Sequence, residues 1–123
     1  MSGNNISGRL GEEAAAKYLA QNGYKIIKRN YKSRNSEIDI VATDGNILCF
    51  VEVKTRRSKD FGYAAEAVDF YKRQKMILGA KCFLASHRIN MPLRFDVVEV
   101  YGNIRSAGFD VSEINIIKNA FEA

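Results

Sequence analysis

The chain has 123 residues, 46% of them hydrophobic and 27% charged, with a formal net charge of +5 at pH 7. This ordinary globular composition argues against disorder and predicts one domain over residues 1–123, while the positive charge favours a polyanionic partner. No run of eighteen apolar residues exists, and the first ten residues lack the basic and apolar regions of a signal peptide, so a membrane-spanning helix is excluded and a cytoplasmic protein is expected.

The first predicted element is a helix over residues 8–22. Ser7 is suited to cap its N-terminus, and Gly23 is suited to end it. The helical period places Glu12 at the edge of the apolar stripe, whereas Glu13 points toward solvent. The two adjacent acids are therefore predicted to differ in burial.

Three strands are predicted next, over residues 23–33, 36–42 and 47–55. The dipeptide Asp44-Gly45 between the second and third strands favours a hairpin with a two-residue type I′ turn. The two cysteines, Cys49 and Cys82, have no zinc-ligand spacing and are expected to be reduced thiols.

The predicted hairpin register divides the side chains of its strands between two faces. Thr43 would pair with Asn46, and Asp39 with Phe50. One face would mix apolar and charged residues: Glu37, Asp39, Val41, Leu48, Phe50, Glu52 and Lys54. The other face would be an unbroken apolar surface suited to packing under a helix: Ile38, Ile40, Ala42, Ile47, Cys49, Val51 and Val53.

A second helix is predicted over residues 67–87 and a fourth strand over residues 93–101. The apolar face of that helix is predicted to carry Phe70, Ile77, Ala80 and Leu84. The tail, residues 110–123, fits a strand or a helix equally well. The order α-β-β-β-α-β predicts an α/β fold with a mixed central sheet flanked by helices, and a right-handed crossover if the third and fourth strands are parallel.

The carboxylates on the mixed face indicate a catalytic site. Glu37, Asp39 and Glu52 would lie close together, and like charges opposite each other destabilise a sheet. Either one carboxyl keeps its proton through a raised pKa or a cation occupies the gap, because Lys54 supplies only one positive charge. Oxygen ligands without His or Cys suit Mg²⁺, Mn²⁺ or Ca²⁺. A metal that activates water and a lysine that stabilises developing charge predict phosphodiester hydrolysis.

A structural alternative exists for these residues. A Glu-x-Lys pair on a strand is by itself more often an exposed ion pair than part of an active site. The conjunction of Glu52 and Lys54 with Asp39 and Glu12 favours the functional interpretation. Asp96, in contrast, is expected to form a structural ion pair with Arg94 or a lysine.

Basic residues close to this face are candidates for binding the nucleic-acid backbone. The segment KTRRSKDFG, residues 54–62, begins at the end of the third strand and contains Arg56, Arg57 and Lys59. Lys72 and Arg73 form another basic cluster in the second helix.

An acid on the first helix, then Asp, then Glu-x-Lys across a hairpin resembles the signature of the PD-(D/E)xK nuclease superfamily, which has the restriction-endonuclease-like fold. Here the motif reads EID at 37–39 and EVK at 52–54, with Ile38 where the superfamily has Pro. The wider set GEEAAAKYL, GY.I..RNY, EIDIVA, FVEVKTR, FG.A.EAV and RFDVVEV resembles the bacterial YraN family of small endonuclease-like proteins over nearly the whole chain. In its core that family is similar to archaeal Holliday junction resolvases.

The resemblance implies a restriction-endonuclease-like core and a Mg²⁺- or Mn²⁺-dependent endonuclease whose substrate is DNA, with branched or structured DNA among the expected substrates. It implies that Asp39 and Glu52 are metal ligands, that Lys54 is the catalytic lysine, and that Glu12 completes the site directly or through water. Glu37 and Gln74 would be supporting residues. A homodimer is the assembly that symmetric cutting of two strands would need. The alternative function is a nucleic-acid-binding accessory protein that has the nuclease fold but little or no turnover.

Overall fold

The computed structural model describes residues 6–57, 70–105 and 108–123. Helix α1 spans Ile6–Gln21 and helix α2 spans Phe70–His87. The strands are β1 (Lys25–Ser33), β2 (Ser36–Asp44), β3 (Ile47–Arg56), β4 (Leu93–Arg105) and β5 (Gly108–Phe121). Within these segments no helix has the length and apolar character needed to cross a membrane.

The five strands form one mixed sheet in the order β1-β2-β3-β4-β5. Strands β3 and β4 are parallel, and the other neighbours are antiparallel. A parallel pair needs a long crossover, and α2 lies in the connection between β3 and β4. The predicted α/β class and the order α-β-β-β-α-β are therefore confirmed, and the undetermined tail adds a fifth strand.

The β2–β3 hairpin differs from its predicted register. Asp44 pairs with Ile47, so the two-residue loop is Gly45-Asn46 and not Asp44-Gly45. Asp44 stays in the strand because its carboxylate accepts a 2.7 Å hydrogen bond from Arg94 on β4. Gly45 has a φ of 61°, whereas Asn46 is not among the residues with positive φ. These signs fit a type II′ turn, so the predicted type I′ turn is wrong.

Each face of the sheet carries its own apolar core. Helix α1 covers a cluster that includes Ile40, Ala42, Cys49, Val51, Val53, Val98 and Val100. Helix α2 covers a cluster that includes Ile38, Val41, Leu48, Phe50, Phe95 and Val97. The mixed face of the hairpin is therefore also a helix-covered core, and its charged residues lie toward one end of it.

The side-chain alternation of β2 breaks at Asp39. Ile38 was predicted to share a face with Ile40, but Ile38 packs in the α2 core and Ile40 in the α1 core. The β2–β3 register runs from Asp44 only as far as Ile40, opposite Val51. Beyond it the amide of Val53 donates a 2.9 Å hydrogen bond to the carboxylate of Asp39, which replaces a main-chain acceptor. Because the Asp39 side chain takes the place of a main-chain acceptor between β2 and β3, the alternation shifts there and Ile38 lies on the opposite face from Ile40.

Helix α2 lies against the sheet through Met76, Gly79, Ala80 and Phe83. A Cβ on Gly79 would lie 2.9 Å from Cδ1 of Ile38, so glycine lets the helix approach β2 closely. The prediction that Phe70 belongs to this face is wrong, since Phe70 is 75% exposed. At 100° per residue it lies about 140° around the helix from Phe83.

Most predicted boundaries lie close to those observed. Helix α1 was predicted over residues 8–22, and Gly23, which follows it, has a φ of 90°. Helix α2 ends at His87 as predicted, whereas the predicted residues 67–69 lie outside the described part of the chain. Strand β4 runs four residues beyond its predicted end at residue 101.

Candidate functional site

Three carboxylates from three elements approach one another: Glu12 from α1, Asp39 from the break in β2, and Glu52 from β3. They are close enough to interact electrostatically: the charge of Glu52 raises the pKa of both Glu12 and Asp39, and the charge of Glu12 raises the pKa of Asp39. Gly11 allows this approach, because a Cβ at its position would overlap Oγ1 of Thr55 on β3. The structure therefore brings together the three acids that were predicted from the sequence to lie in one region.

Glu52 is the most deeply buried of the three, with only 4% of its surface exposed. Its Oε2 lies 3.5 Å from Nζ of Lys54 and 3.3 Å from Nζ of Lys72. Its Oε1 is buried and has no hydrogen-bond partner among the described residues. A buried carboxylate oxygen without a partner is destabilising, and it is a free ligand position for a cation.

Asp39 is partly buried, and the pKa of its carboxyl is raised well above its ordinary value. Burial is the main cause, because it disfavours the charged form, and the negative charge of Glu52 is the second. The hydrogen bond from the Val53 amide and the charge of Lys72 oppose the shift. A divalent cation beside Asp39 would offset the effects of burial and of the Glu52 charge, because it favours the ionised form of the carboxyl.

The neighbouring acids Glu12 and Glu13 have different surroundings, as predicted. Glu12 is partly buried, and its pKa is raised mainly by burial and further by Glu37 and Glu52, while Arg29 opposes the shift. Glu13 is exposed and accepts a 2.9 Å hydrogen bond from Nη1 of Arg29, which lowers the pKa of Glu13. Arg29 is thus held by one acid while it acts electrostatically on the other.

The two predicted supporting residues lie at the margin. Glu37 is exposed, forms a 3.6 Å ion pair with Lys32, and acts on the site through its charge on Glu12. Gln74 is exposed on α2. No contact between Gln74 and the three carboxylates is seen within the described part of the chain.

The basic residues proposed for backbone binding divide into separate groups. Arg56 is partly buried at the end of β3, and its Nε has no hydrogen-bond partner in the described segments, while Arg57 is exposed. Lys72 contacts Glu52, and Arg73 lies 5.6 Å from the ring centroid of Phe121. Lys59 lies outside the described residues.

Lys54 lies between two buried acids. It forms an ion pair with Glu52, and it is opposite Glu99 in the parallel register of β3 and β4. Glu99 is 3% exposed and accepts hydrogen bonds from the Tyr101 hydroxyl at 3.0 Å and the Asn115 amide at 3.3 Å. Sequence reasoning missed Glu99, although its strand alternation with Val98 and Val100 could have placed it on the same face as Lys54.

The donor set fits a hard divalent cation. Asp39 and Glu52 supply carboxylate oxygens, and Mg²⁺ in proteins is commonly held by one or two carboxylates together with waters and phosphate oxygens. Over residues 6–57, 70–105 and 108–123, no three acidic, His or Cys side chains are arranged to hold a metal ion. Carboxylate oxygens of Asp39 and Glu52 would be available as direct ligands, including the unpartnered Oε1 of Glu52.

A cavity of about 390 Å³ opens beside Glu12. It is lined by Arg9, Leu10, Glu12, Glu13, Arg29 and Asn30. Asn30 has a φ of 53°, which lies in the left-handed region. Sequence reasoning missed the cavity, because its two sides come from α1 and β1, and the packing of one element against the other is not visible in a local pattern.

The predicted structural role of Asp96 is confirmed. This residue has no exposed surface and accepts hydrogen bonds from Arg94, the Tyr24 hydroxyl and the main-chain N–H of Asn119, all between 2.8 and 2.9 Å. Nearby, Cys49 is a free thiol whose pKa is raised to about 12, first by burial and then by Asp96. These groups form a saturated polar network on the side of the sheet that α1 covers.

The fold and the site define the class of protein: an α/β protein with a mixed five-stranded sheet, a helix on each face, and an acidic site at a break in the second strand. The chain belongs to the uncharacterised protein family UPF0102, the YraN family, which matches it over residues 11–100. A UPF0102 protein of Caldicellulosiruptor saccharolyticus is 45% identical over 115 residues, covering 93% of this chain and 95% of the relative. One from Stutzerimonas stutzeri is 39% identical over 125 residues, covering 100% of both chains. The resemblance seen in the sequence motifs is thus confirmed at the level of the family.

Proposed function

We propose that the protein is a Mg²⁺- or Mn²⁺-dependent nuclease that hydrolyses phosphodiester bonds of DNA. The observation that carries the proposal is the meeting of Asp39 and Glu52, with a Lys54 ammonium 3.5 Å from the Glu52 carboxylate. Two carboxylates repel each other in a partly buried site, and a divalent cation between them would remove this repulsion and could also bind a phosphate.

Each residue has a distinct role in this proposal. Asp39 and Glu52 would hold the cation, which supplies polarisation of the phosphate and a bound water of lowered pKa. Lys54 would stabilise the negative charge that develops on the phosphate oxygens, because its ammonium is held at the edge of the site. Glu12 is partly buried beside both acids, and there it would accept a hydrogen bond from water.

Basic residues at the end of β3 indicate that the substrate is a nucleic acid. Arg56 is the last residue of β3 and Arg57 follows it, two and three residues after Lys54, and their guanidinium groups suit phosphate oxygens. A DNA backbone whose phosphates are neutralised by such side chains releases its counterions. Binding of DNA should therefore weaken steeply as the salt concentration rises.

The test is a cleavage panel of linear duplex, single-stranded, flap and four-way-junction DNA with Mn²⁺. We expect cutting of at least one substrate, loss of cutting with a chelator, and a fall of at least about a hundredfold in Glu52→Gln, because the charged ligand is lost. The matched control is Glu122→Gln, the same change at an exposed site near the C-terminus, which should cut as the wild type does. Cutting that persists in Glu52→Gln would contradict the proposal.

A second candidate function is binding of nucleic acid without turnover. The observation that favours it is the placement of two lysines on Glu52, together with the finding that no three His, Cys, Asp or Glu side chains among the described residues are arranged to hold a metal ion. In that case DNA would bind with a salt-dependent affinity that a chelator leaves unchanged, and no substrate in the panel would be cut.

A further inference from the structure

Lys72 is a residue of the site whose place the sequence did not indicate. Its ammonium was expected to face a phosphate backbone, but it lies 3.3 Å from Oε2 of Glu52. We infer that Lys72 is an internal counter-ion that holds the Glu52 carboxylate in the metal-free protein and competes with a divalent cation for it. This inference rests on the proposed metal site at Asp39 and Glu52.

The geometry gives one carboxylate oxygen two ammonium partners. Lys54 and Lys72 both lie within 3.5 Å of Oε2, whereas the buried Oε1 has no partner in the described segments. One carboxylate needs only one positive charge for neutrality, so the second ammonium compensates the acids around it. Asp39 is one of them, since Lys72 acts electrostatically on its carboxyl as well.

The two lysines differ in how firmly they are placed. Lys54 is on β3, two residues from Glu52 and opposite the buried Glu99, and its side chain is 26% exposed. Lys72 reaches the same oxygen from the third residue of α2, and its side chain is 38% exposed. A lysine side chain has a flexible four-carbon stem, so the ammonium of Lys72 can turn toward solvent without any change in the sheet.

This placement fixes the sign of the effect of Lys72 on metal binding. An ammonium beside Glu52 repels a divalent cation that approaches the same carboxylate, so removal of the ammonium should strengthen binding of the cation. The same removal leaves the acids of the metal-free site less well compensated, so the metal-free protein should become less stable. A lysine that merely positions Glu52 for the metal would have the opposite effect on affinity.

The experiment is calorimetric titration of Mn²⁺ into the full chain, without nucleic acid, for the wild type and three variants. Lys72→Gln should bind Mn²⁺ on the order of fivefold more tightly, as for a partly exposed ion pair. Lys72→Arg keeps the charge and should bind as the wild type does. Lys81→Gln removes the same charge from an exposed position on α2 and should also leave the affinity unchanged.

A second measurement is thermal unfolding in the presence of a chelator and with saturating Mn²⁺. Lys72→Gln should unfold at a lower temperature than the wild type in chelator, and Mn²⁺ should narrow that difference. Equal or weaker Mn²⁺ binding by Lys72→Gln, beside normal binding by the wild type, would overturn the counter-ion role alone. A wild type that binds no Mn²⁺ or Mg²⁺ would overturn the proposed metal site, and the inference with it.

Discussion

Two groups of buried acids lie on the same sheet, and they differ in how fully their oxygens are paired. Both carboxylate oxygens of Asp96 accept hydrogen bonds, from Arg94, the Tyr24 hydroxyl and the main-chain N–H of Asn119. Glu52 has ammonium groups on one oxygen and no partner among the described residues on the other. Buried polar groups in proteins are nearly always satisfied, so the exception marks a place where something else can bind.

Burial alone does not distinguish an acid that stabilises the fold from an acid that can bind a ligand. Asp96 is more buried than Glu52 or Asp39, yet both of its carboxylate oxygens already accept hydrogen bonds from protein donors. Asp39 is partly exposed, and its carboxyl has a raised pKa because a second acid and low polarity act together. A saturated network stabilises the fold, whereas an unsaturated pair of acids is suited to a cation.

The largest expected effect is on the saturated network. Arg94→Met should lower the free energy of unfolding by about 3–5 kcal/mol, because it leaves the buried Asp96 without its charge partner. Denaturant unfolding measures this loss. The matched control is Arg105→Met, which breaks only the exposed 3.0 Å ion pair with Asp110. If the two variants proved equally stable, the structural interpretation of the Asp96 network would be wrong.

An intermediate effect is expected from metal binding to the unsaturated acids. Mn²⁺ at a hundred times its dissociation constant should raise the free energy of unfolding by about 2.7 kcal/mol. Glu52→Gln should remove this increase, because it removes the charged ligand, whereas Arg94→Met should keep it. Thermal unfolding with and without Mn²⁺ provides the measurement, and an increase that survives in Glu52→Gln would place the metal elsewhere.

The smallest expected effect is on the pH dependence of the metal-free protein. The pKa of Asp39 is raised well above 3.8 in the folded state, so the folded protein binds more protons than the unfolded chain between 3.8 and that raised value. Stability therefore falls as pH rises through this window. Asp39→Asn removes the titration and keeps an acceptor for the Val53 amide, so it should gain on the order of 1 kcal/mol over the wild type at neutral pH.

The control for this prediction is Asp110→Asn, the same change at an exposed acid. Its stability should follow the wild-type curve from pH 4 to pH 8. Parallel curves for Asp39→Asn and the wild type would show that Asp39 is not held in a strained ionic environment.

Local patterns predicted a large part of the fold and the site. The strand period of two brought Glu52 and Lys54 to one face, and the hairpin signal brought Asp39 near them. The register was wrong by one pair, but a shift of one pair moves the partners of a residue along the strand without moving side chains to the other face. The predicted cluster therefore survived an error in the turn.

Other features could not be predicted from local patterns. Ile38 changed face because the Asp39 carboxylate enters the β2–β3 ladder, and no periodicity in the sequence signals that event. The predicted face of α2 was rotated, since helical spacing alone does not choose between Ile77 and Met76 as the centre of contact.

The sequence by itself determined the first six elements, the mixed sheet and the set of acids, because these depend on the spacing of apolar and charged residues along short segments. Only the tertiary structure decided that Lys72 contacts Glu52, that Gly11 brings Glu12 to the site, and that one oxygen of Glu52 has no partner in the described segments. These contacts join α1, β3 and α2, which are distant along the chain. They are set by how the helices pack on the two faces of the sheet, and packing distances are not contained in any local pattern.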